Sequence, residues 1–338
     1  MSNVATPPSL PPNVRVFEMV AAAIPARALW VAAEVGVADH LDGTPRGVDE
    51  LAAATGSHAG ALYRILRLLA ACGVFEEHAD KRFSHTEMSR TLRSDHPTRA
   101  RAAVRVMGMP EVWKGFGAIE TSLATGGTGW DAAIGEPIFD WLRQHPAEAS
   151  IFNDAMVGIH GGEQPATADA YPFTGTVIDV GGGSGNMIAS VLKRHPAVRG
   201  VVFDLPHVVA EAAARLKAEG LDGRATVAAG SFFDGVPAGG DAYILSHIVH
   251  DWDEAKCLQI LGHVRAAKRP DAKVLIVEMV VPPPNVMHPG KVLDITMLTI
   301  AGGQERTEEE YGALLAKAGL RLTRVIPTMS PASIVEAE

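Results

Sequence analysis

Apolar and polar positions change period along the chain, and the changes divide it into three pieces. From Thr174 to the end, short apolar runs alternate with amphipathic stretches. Residues 177–180, 200–203, 225–228, 241–246, 273–278 and 320–327 have the length and apolar character of buried strands. Residues 187–194, 208–220, 253–267 and 307–318 carry the pattern of helices packed on one face. Strands alternating with helices of this length predict a parallel, doubly wound α/β sheet.

The first piece, residues 14–97, reads differently. Residues 17–35 are alanine-rich and apolar around much of the helix circumference, which predicts burial in a core or a subunit interface. A short helix over 48–54 leads through Thr55-Gly56-Ser57 into a second helix. Leu62, Ile65, Leu66 and Leu69 mark its apolar face at i, i+3, i+4 and i+7. Gly73 ends it, and residues 74–84 predict a hairpin with Ala79-Asp80-Lys81 at the tip. Helix, turn, helix, hairpin is the order of a winged helix, a DNA-reading shape. The charge argues otherwise. Between Arg15 and Arg105 there are 12 Lys/Arg against 11 Asp/Glu, with no basic stripe on the second helix.

The middle piece, residues 98–170, is irregular and helical. It holds Trp113, Phe116, Trp130, Phe139, Trp141, Phe152 and several methionines, which either build core or line a pocket for a flat, apolar ligand. A hinge is expected near Tyr171-Pro172-Phe173, so that the last domain spans 171–338. Four prolines in the first twelve residues predict a disordered arm over 1–13, without the basic region and apolar core of a leader peptide. No apolar run is read as reaching the roughly 18 residues of a membrane span.

Composition narrows the class. The chain of 338 residues is 47% hydrophobic and 20% charged, as a globular protein is, and carries a net charge of −9. That acidity disfavours nucleic acid and anionic membrane as partners. Cys72 and Cys257 form no paired pattern, which excludes a disulfide framework and fits a cytoplasmic location.

The candidate chemistry starts at a turn. The strand Val177-Ile178-Asp179-Val180 runs into Gly181-Gly182-Gly183-Ser184-Gly185-Asn186 and then a helix. Gly181 and Gly183 begin a GxGxxG-like spacing, but position 186 is Asn. Asp204 closes the next strand, 19 residues beyond Gly185, where a carboxylate binds ribose hydroxyls. A dinucleotide and an adenosyl ligand both satisfy this arrangement. The missing third glycine and the nearby Asp179 suit a ligand with an ammonium group better than a pyrophosphate.

His250, in Ile248-Val249-His250-Asp251-Trp252, follows the fourth strand and so stands at the carboxyl edge of the sheet, where ligands of open α/β folds bind. Histidine is suited to taking a proton near neutral pH. Asp251 or Asp253 would cap the next helix. Glu278 ends the fifth strand, and Glu305 lies in Gly302-Gly303-Gln304-Glu305-Arg306-Thr307. Either acid could orient His250, and Glu305 could equally complement a helix N-terminus. His247 and His250 lie three apart, but no further ligand stands at metal-binding spacing, so no metal is expected.

In order along the chain, VIDVGGGSGN, VVFDLP, GSFFD, SHIVHDWDE, VLIVEMVVP and GGQERTEEEY resemble the metal-independent small-molecule O-methyltransferases, which include plant caffeate-type enzymes and bacterial tailoring enzymes of aromatic polyketides and antibiotics. The resemblance covers nearly the whole chain. It implies a C-terminal Rossmann-like doubly wound domain, an all-helical winged-helix dimerisation domain, S-adenosylmethionine as cofactor, an aromatic small-molecule acceptor and a homodimer. It places Asp179, Gly181, Gly183, Asp204, Leu205, Ser231, Phe232 and Ser246 around the cofactor, with Phe232 on the adenine face. His250 becomes the general base, flanked by Glu278 and Glu305. Met156 and Met297 resemble thioethers that sandwich an aromatic ring, with Trp113 and Phe152 beside them. Two positions depart from the plant pattern: Ser231 replaces an adenine-contacting acid, and Ser246 replaces a lysine four residues before the histidine. Both would weaken or re-route cofactor contacts. Relatives that use the sulfonium only as a bound charge, N- or C-methylation, a nicotinamide enzyme and a ligand-sensing regulator are the competing readings.

Overall fold

The computed structural model describes residues 10–338. The chain forms two compact units. One holds residues up to Trp113 together with Leu142–Ile159, and the other holds Lys114–Trp141 and His160–Glu338. The expected divisions at 97 and 170 do not coincide with these, because the middle helices are shared between the units.

In the first unit, helices Val48–Thr55 and Ala59–Ala71 are joined through Gly56, whose φ of 64° supplies the left-handed turn. Leu51, Leu62, Leu66 and Leu69 bury their side chains against Phe75 and Phe83 of the hairpin. The hairpin strands β2 (Phe75–His78) and β3 (Arg82–His85) pair with a short strand β1 (Arg46–Gly47) in the order β1-β3-β2. The winged-helix order is therefore present, but the domain is not all-helical: its wing is a three-stranded sheet.

The N-terminal helix corrects two expectations. Residues 1–9 of the expected arm lie outside the described residues, and Pro12 and Asn13 already belong to helix Pro12–Ala21. With helix Ala23–Glu34 it makes a 23-residue stretch, Pro12–Glu34, long and apolar enough by length and composition to cross a membrane. The sequence reading missed that span because Arg15, Glu18 and Arg27 interrupt the apolar run without ending the helix. The apolar side chains of its first half are exposed in the single chain, Phe17 at 70% and Met19 at 78%, while Ala32 and Ala33 near its end are buried. Near its end, Trp30 packs where a side chain on Gly108 would stand, and Trp30 Nε1 donates to the Arg105 carbonyl at 3.2 Å.

The second unit is built on seven strands: β4 (Thr176–Val180), β5 (Arg199–Asp204), β6 (Ala225–Ala229), β7 (Ala242–Ser246), β8 (Lys273–Glu278), β11 (Leu322–Pro327) and β12 (Ser333–Ala337). Two short strands, β9 (Val280–Val281) and β10 (Arg306–Thr307), pair beside it. The sheet order is β11-β12-β8-β7-β4-β5-β6. Strands β4 to β8 are mutually parallel, as their unbroken apolar runs require when both faces are covered. β12 runs antiparallel to both neighbours, so the sheet is mixed. The sequence reading stopped at β11, because Pro331 and the polar pair Ser333 and Glu336 mask a strand that is buried. Helices Asn186–Arg194 and Pro206–Ala218 cover one face and Glu254–Ala267 and Glu308–Lys317 the other. The strand order reverses beside β4, and the ends of β4, β5 and β7 open there onto the crevice where such folds bind ligands.

Gly108→Ala tests the packing of the first unit. The new methyl would lie 1.9 Å from the Trp30 ring, a rigid neighbour. Equilibrium urea unfolding should show a loss of about 1–3 kcal/mol, and an unchanged midpoint would contradict that contact.

Candidate active site

The turn after β4 is shaped by backbone that only glycine adopts freely. Gly181 has φ +72°, and a Cβ on it would lie 2.5 Å from Ile248 Cδ1. Gly181 N and Gly182 N donate to the Phe203 carbonyl, which ties the turn to the end of β5. Two acids flank the turn in different surroundings. Asp204 is half-buried, with Oδ2 accepting from Gly183 N at 2.9 Å and Oδ1 from Leu205 N at 2.6 Å. Asp179 is 1% exposed and neither of its oxygens has a hydrogen-bond partner. Burial, and then the charge of Asp204, push its carboxyl up to about 7. A buried carboxyl with nothing to bond is the complement of a ligand carrying its own positive donors. Leu205 is exposed beside Asp204.

Beyond β6, Phe232 is half-buried and braced edge-on by Phe233 at 4.8 Å and more distantly by Trp252. It also lies 3.4 Å from where a Gly181 Cβ would be, so the ring faces the turn. Ser231 Oγ accepts from Phe233 N at 3.2 Å and so serves the local turn. Ser246 is half-buried at the end of β7. The structure thus gathers Asp179, Gly181, Gly183, Asp204 and Phe232 around one crevice.

His250 is 6% exposed and its Nδ1 lies 2.6 Å from Glu305 Oε1. Once the ring is neutral, a carboxylate there fixes the tautomer: Nδ1 carries the proton and donates, and Nε2 keeps its lone pair. Glu278 is also buried but does not meet the ring. Its Oε1 accepts from the backbone N of His250 at 3.0 Å, and its Oε2 accepts from the Tyr311 hydroxyl. Of the two acids expected to flank the histidine, then, one orients the imidazole and the other holds its main chain. Asp251 Oδ1 lies 3.5 Å from Nε2, while Asp253 caps the following helix through Lys256 N. Burial alone would lower the His250 pKa, but the Glu305 hydrogen bond and the charges of Glu278 and Asp251 outweigh it and hold it at about 9.

The loop that carries Glu305 is clamped. Gln304 N donates to the His250 carbonyl at 2.8 Å, and a Cβ on Gly303 would lie 1.8 Å from that same oxygen. Glu305 N donates to Asp294 Oδ1 at 3.0 Å. The next helix has its own cap, Thr307 with Glu310, so Glu305 is not needed as N-terminal charge. Tyr311, Asp294 and Gly303 were not identified from the sequence. Tyr311 alone left a signal, as an aromatic in the acidic helix start Glu308-Glu309-Glu310.

Met297 is 6% exposed and opens a π-helical turn, Met297–Ala301, in the same unit as His250. Trp113, Phe152 and Met156 are half-buried in the other unit. Trp130 and Trp141 pack edge-on at 5.5 Å and are core. The expectation that no further metal-type ligand accompanies the histidines needs correction. His247 meets His160 and Glu163, whose donor atoms all lie within 4.8 Å of one another. Sequence spacing hides this because His247 is 84 residues from Glu163.

A family model of the O-methyltransferase domain matches residues 116–321, and one of the O-methyltransferase dimerisation domain matches residues 17–95. A phenazine O-methyltransferase of Lysobacter antibioticus is 38% identical over 97% of each chain. Among solved structures, a methyltransferase of calicheamicin biosynthesis in its SAH-bound form superposes with a TM-score of 0.87 at 36% identity, over 97% of this chain and 99% of that one. An O-methyltransferase of neocarzinostatin biosynthesis, in complex with S-adenosylmethionine and 2-hydroxy-5-methyl naphthoic acid, superposes with a TM-score of 0.80 at 34% identity, over 92% of this chain and 95% of that one. The turn after β4, the clamped His250–Glu305 pair and these likenesses agree: the chain belongs to the O-methyltransferase family and carries that family's dimerisation domain.

Proposed function

We propose that the protein methylates a hydroxyl of an aromatic small molecule, with S-adenosylmethionine as methyl donor and His250 as general base. One observation carries the reading: the buried 2.6 Å contact of His250 Nδ1 with Glu305, which leaves Nε2 to accept a proton. The structures of relatives bound to S-adenosylmethionine and a hydroxynaphthoic acid support the donor and the acceptor class.

Bound S-adenosylmethionine supplies an electrophilic methyl group. The residues of the chain do the rest. Asp204 is set to receive the ribose hydroxyls and Phe232 the adenine face. Asp179 is set to receive the ammonium group, with Gly181 and Gly183 keeping the approach clear. Met297, in the same unit as His250, is assigned to the acceptor ring, where a thioether suits a flat apolar surface. A phenol has a pKa of about 10 and is a weak nucleophile until it loses its proton. His250 Nε2 takes that proton as the oxygen bonds to carbon, and Glu305 stabilises the imidazolium that results. Glu278 acts through the His250 backbone, as a positioning residue.

The homodimer and the cytoplasmic location belong to the same reading. Phe17, Met19, Val20 and Ile24 stand exposed within the family's dimerisation domain, as an interface helix would before its partner covers it. The first unit keeps a winged-helix shape with nearly balanced charge, 12 Lys/Arg against 11 Asp/Glu between Arg15 and Arg105, so a second copy is the assigned partner and DNA is not.

His250→Ala should lower kcat on a phenolic acceptor by roughly 10²–10⁴-fold, with S-adenosylmethionine affinity by calorimetry nearly intact; full activity would remove the base. The kcat/KM for the acceptor should rise with pH as His250, held at about 9 in the free protein, loses its proton. In Glu305→Gln that limb should move to lower pH while the plateau falls, because the carboxylate that favours imidazolium is gone; an unmoved limb would contradict the pairing. Affinity for S-adenosylmethionine should weaken as pH drops through about 7, where the Asp179 carboxyl becomes neutral. Asp179→Asn should flatten that profile, and an identical profile in the variant would free Asp179 from the role.

A further inference from the structure

His160, Glu163 and His247 form a constellation that methyl transfer does not use. Glu163 is 3% exposed, and one of its oxygens, Oε2, faces two imidazole nitrogens at once. His247 Nε2 lies 2.5 Å from it and His160 Nδ1 3.1 Å. The two rings stand 3.9 Å apart, centroid to centroid. Three donor atoms within 4.8 Å of one another approach the separations found around a single tetrahedral ion.

The backbone also bears on the point. His247 follows β7 with φ +52°, one of five non-glycine residues with positive φ among the described residues. A side chain held in the left-handed region at a ligand crevice marks a position where geometry outweighs backbone comfort. The hydrogen bonds of the cluster leave the other nitrogen of that ring, Nδ1, buried and without a partner. A structural histidine normally has both nitrogens satisfied when buried. His160 and His247 keep 15% and 11% of their side-chain surface, so an ion can reach the cluster and retain an open coordination position.

We propose that His160, Glu163 and His247 bind one divalent transition-metal ion of the Zn2+ class. Two imidazoles and a carboxylate are a donor set that suits Zn2+ or Fe2+ and not Mg2+ or Ca2+, which prefer oxygen-rich shells. The fourth position is left for water. The site is distinct from His250, whose Nδ1 is committed to Glu305, although the His247 and His250 rings stand only 5.0 Å apart.

The test is metal uptake, read without acceptor or S-adenosylmethionine so that it stands apart from the methyltransferase reading. Tag-free full-length protein, stripped with chelator, is titrated with Zn2+ against a chromogenic competitor and with Co2+ by visible absorption. One equivalent per chain at micromolar affinity or tighter is expected, with Co2+ bands typical of a four- or five-coordinate site. His160→Ala, Glu163→Gln and His247→Asn should each weaken binding by at least the roughly 10–100-fold seen for outer-shell partners. Asn is chosen at 247 because it tolerates positive φ. His58→Ala, at an exposed helix cap outside the cluster, should keep one equivalent. Absence of stoichiometric uptake by the unaltered protein, or uptake unchanged in the three variants, overturns the site; the first of these results does not depend on any variant folding.

Discussion

Glu305, 2% exposed, and His250, 6% exposed, share a hydrogen bond of 2.6 Å. Burying either group alone would cost several kcal/mol, so each is tolerable there only because of the other. Much of the surrounding structure keeps that pair in register. Glu278, braced by Tyr311, holds the His250 amide, and the His250 carbonyl receives Gln304 N across a gap that only Gly303 leaves open. Asp294 anchors the amide of Glu305 itself. His250 is thus oriented from its ring and its backbone at once, the preorganisation that the proposed base role requires.

The glycine turn solves a second electrostatic problem with two acids in unlike surroundings. Asp204 accepts from two backbone N–H groups, whereas Asp179 is buried with no donor at all. Two neighbouring carboxyls in unlike surroundings are fitted to different tasks. One suits neutral hydroxyls and the other a cation.

The first unit shows how little shape says about partner. Its helix-turn-helix and wing are those of a nucleic-acid reader, yet the charge is balanced and the apolar surface of helix Pro12–Ala21 is turned outward. Affinity for DNA rests on neutralised phosphates, and the 12 Lys/Arg between Arg15 and Arg105 are offset by 11 Asp/Glu. Apolar exposure on that scale marks an association surface instead.

The strands from Thr176 to Glu278, the helix-turn-helix and the glycine turn were legible in the sequence because local periodicity and turn chemistry carry them, and the motif order around His250 and Glu305 was enough to identify a methyltransferase-like chain. The last strand was not legible, since β12 is defined by its neighbours β8 and β11 more than by its own residues. Nor was the division of labour between the two acids: both precede or follow a strand end, and only folding decides that Glu305 meets the ring and Glu278 the main chain. The grouping of His160 and Glu163 with His247 was invisible for the same reason, as no spacing rule spans 84 residues. Sequence determines local geometry through short-range sterics and burial; which buried polar groups face one another is settled only when the elements pack and each must find a partner.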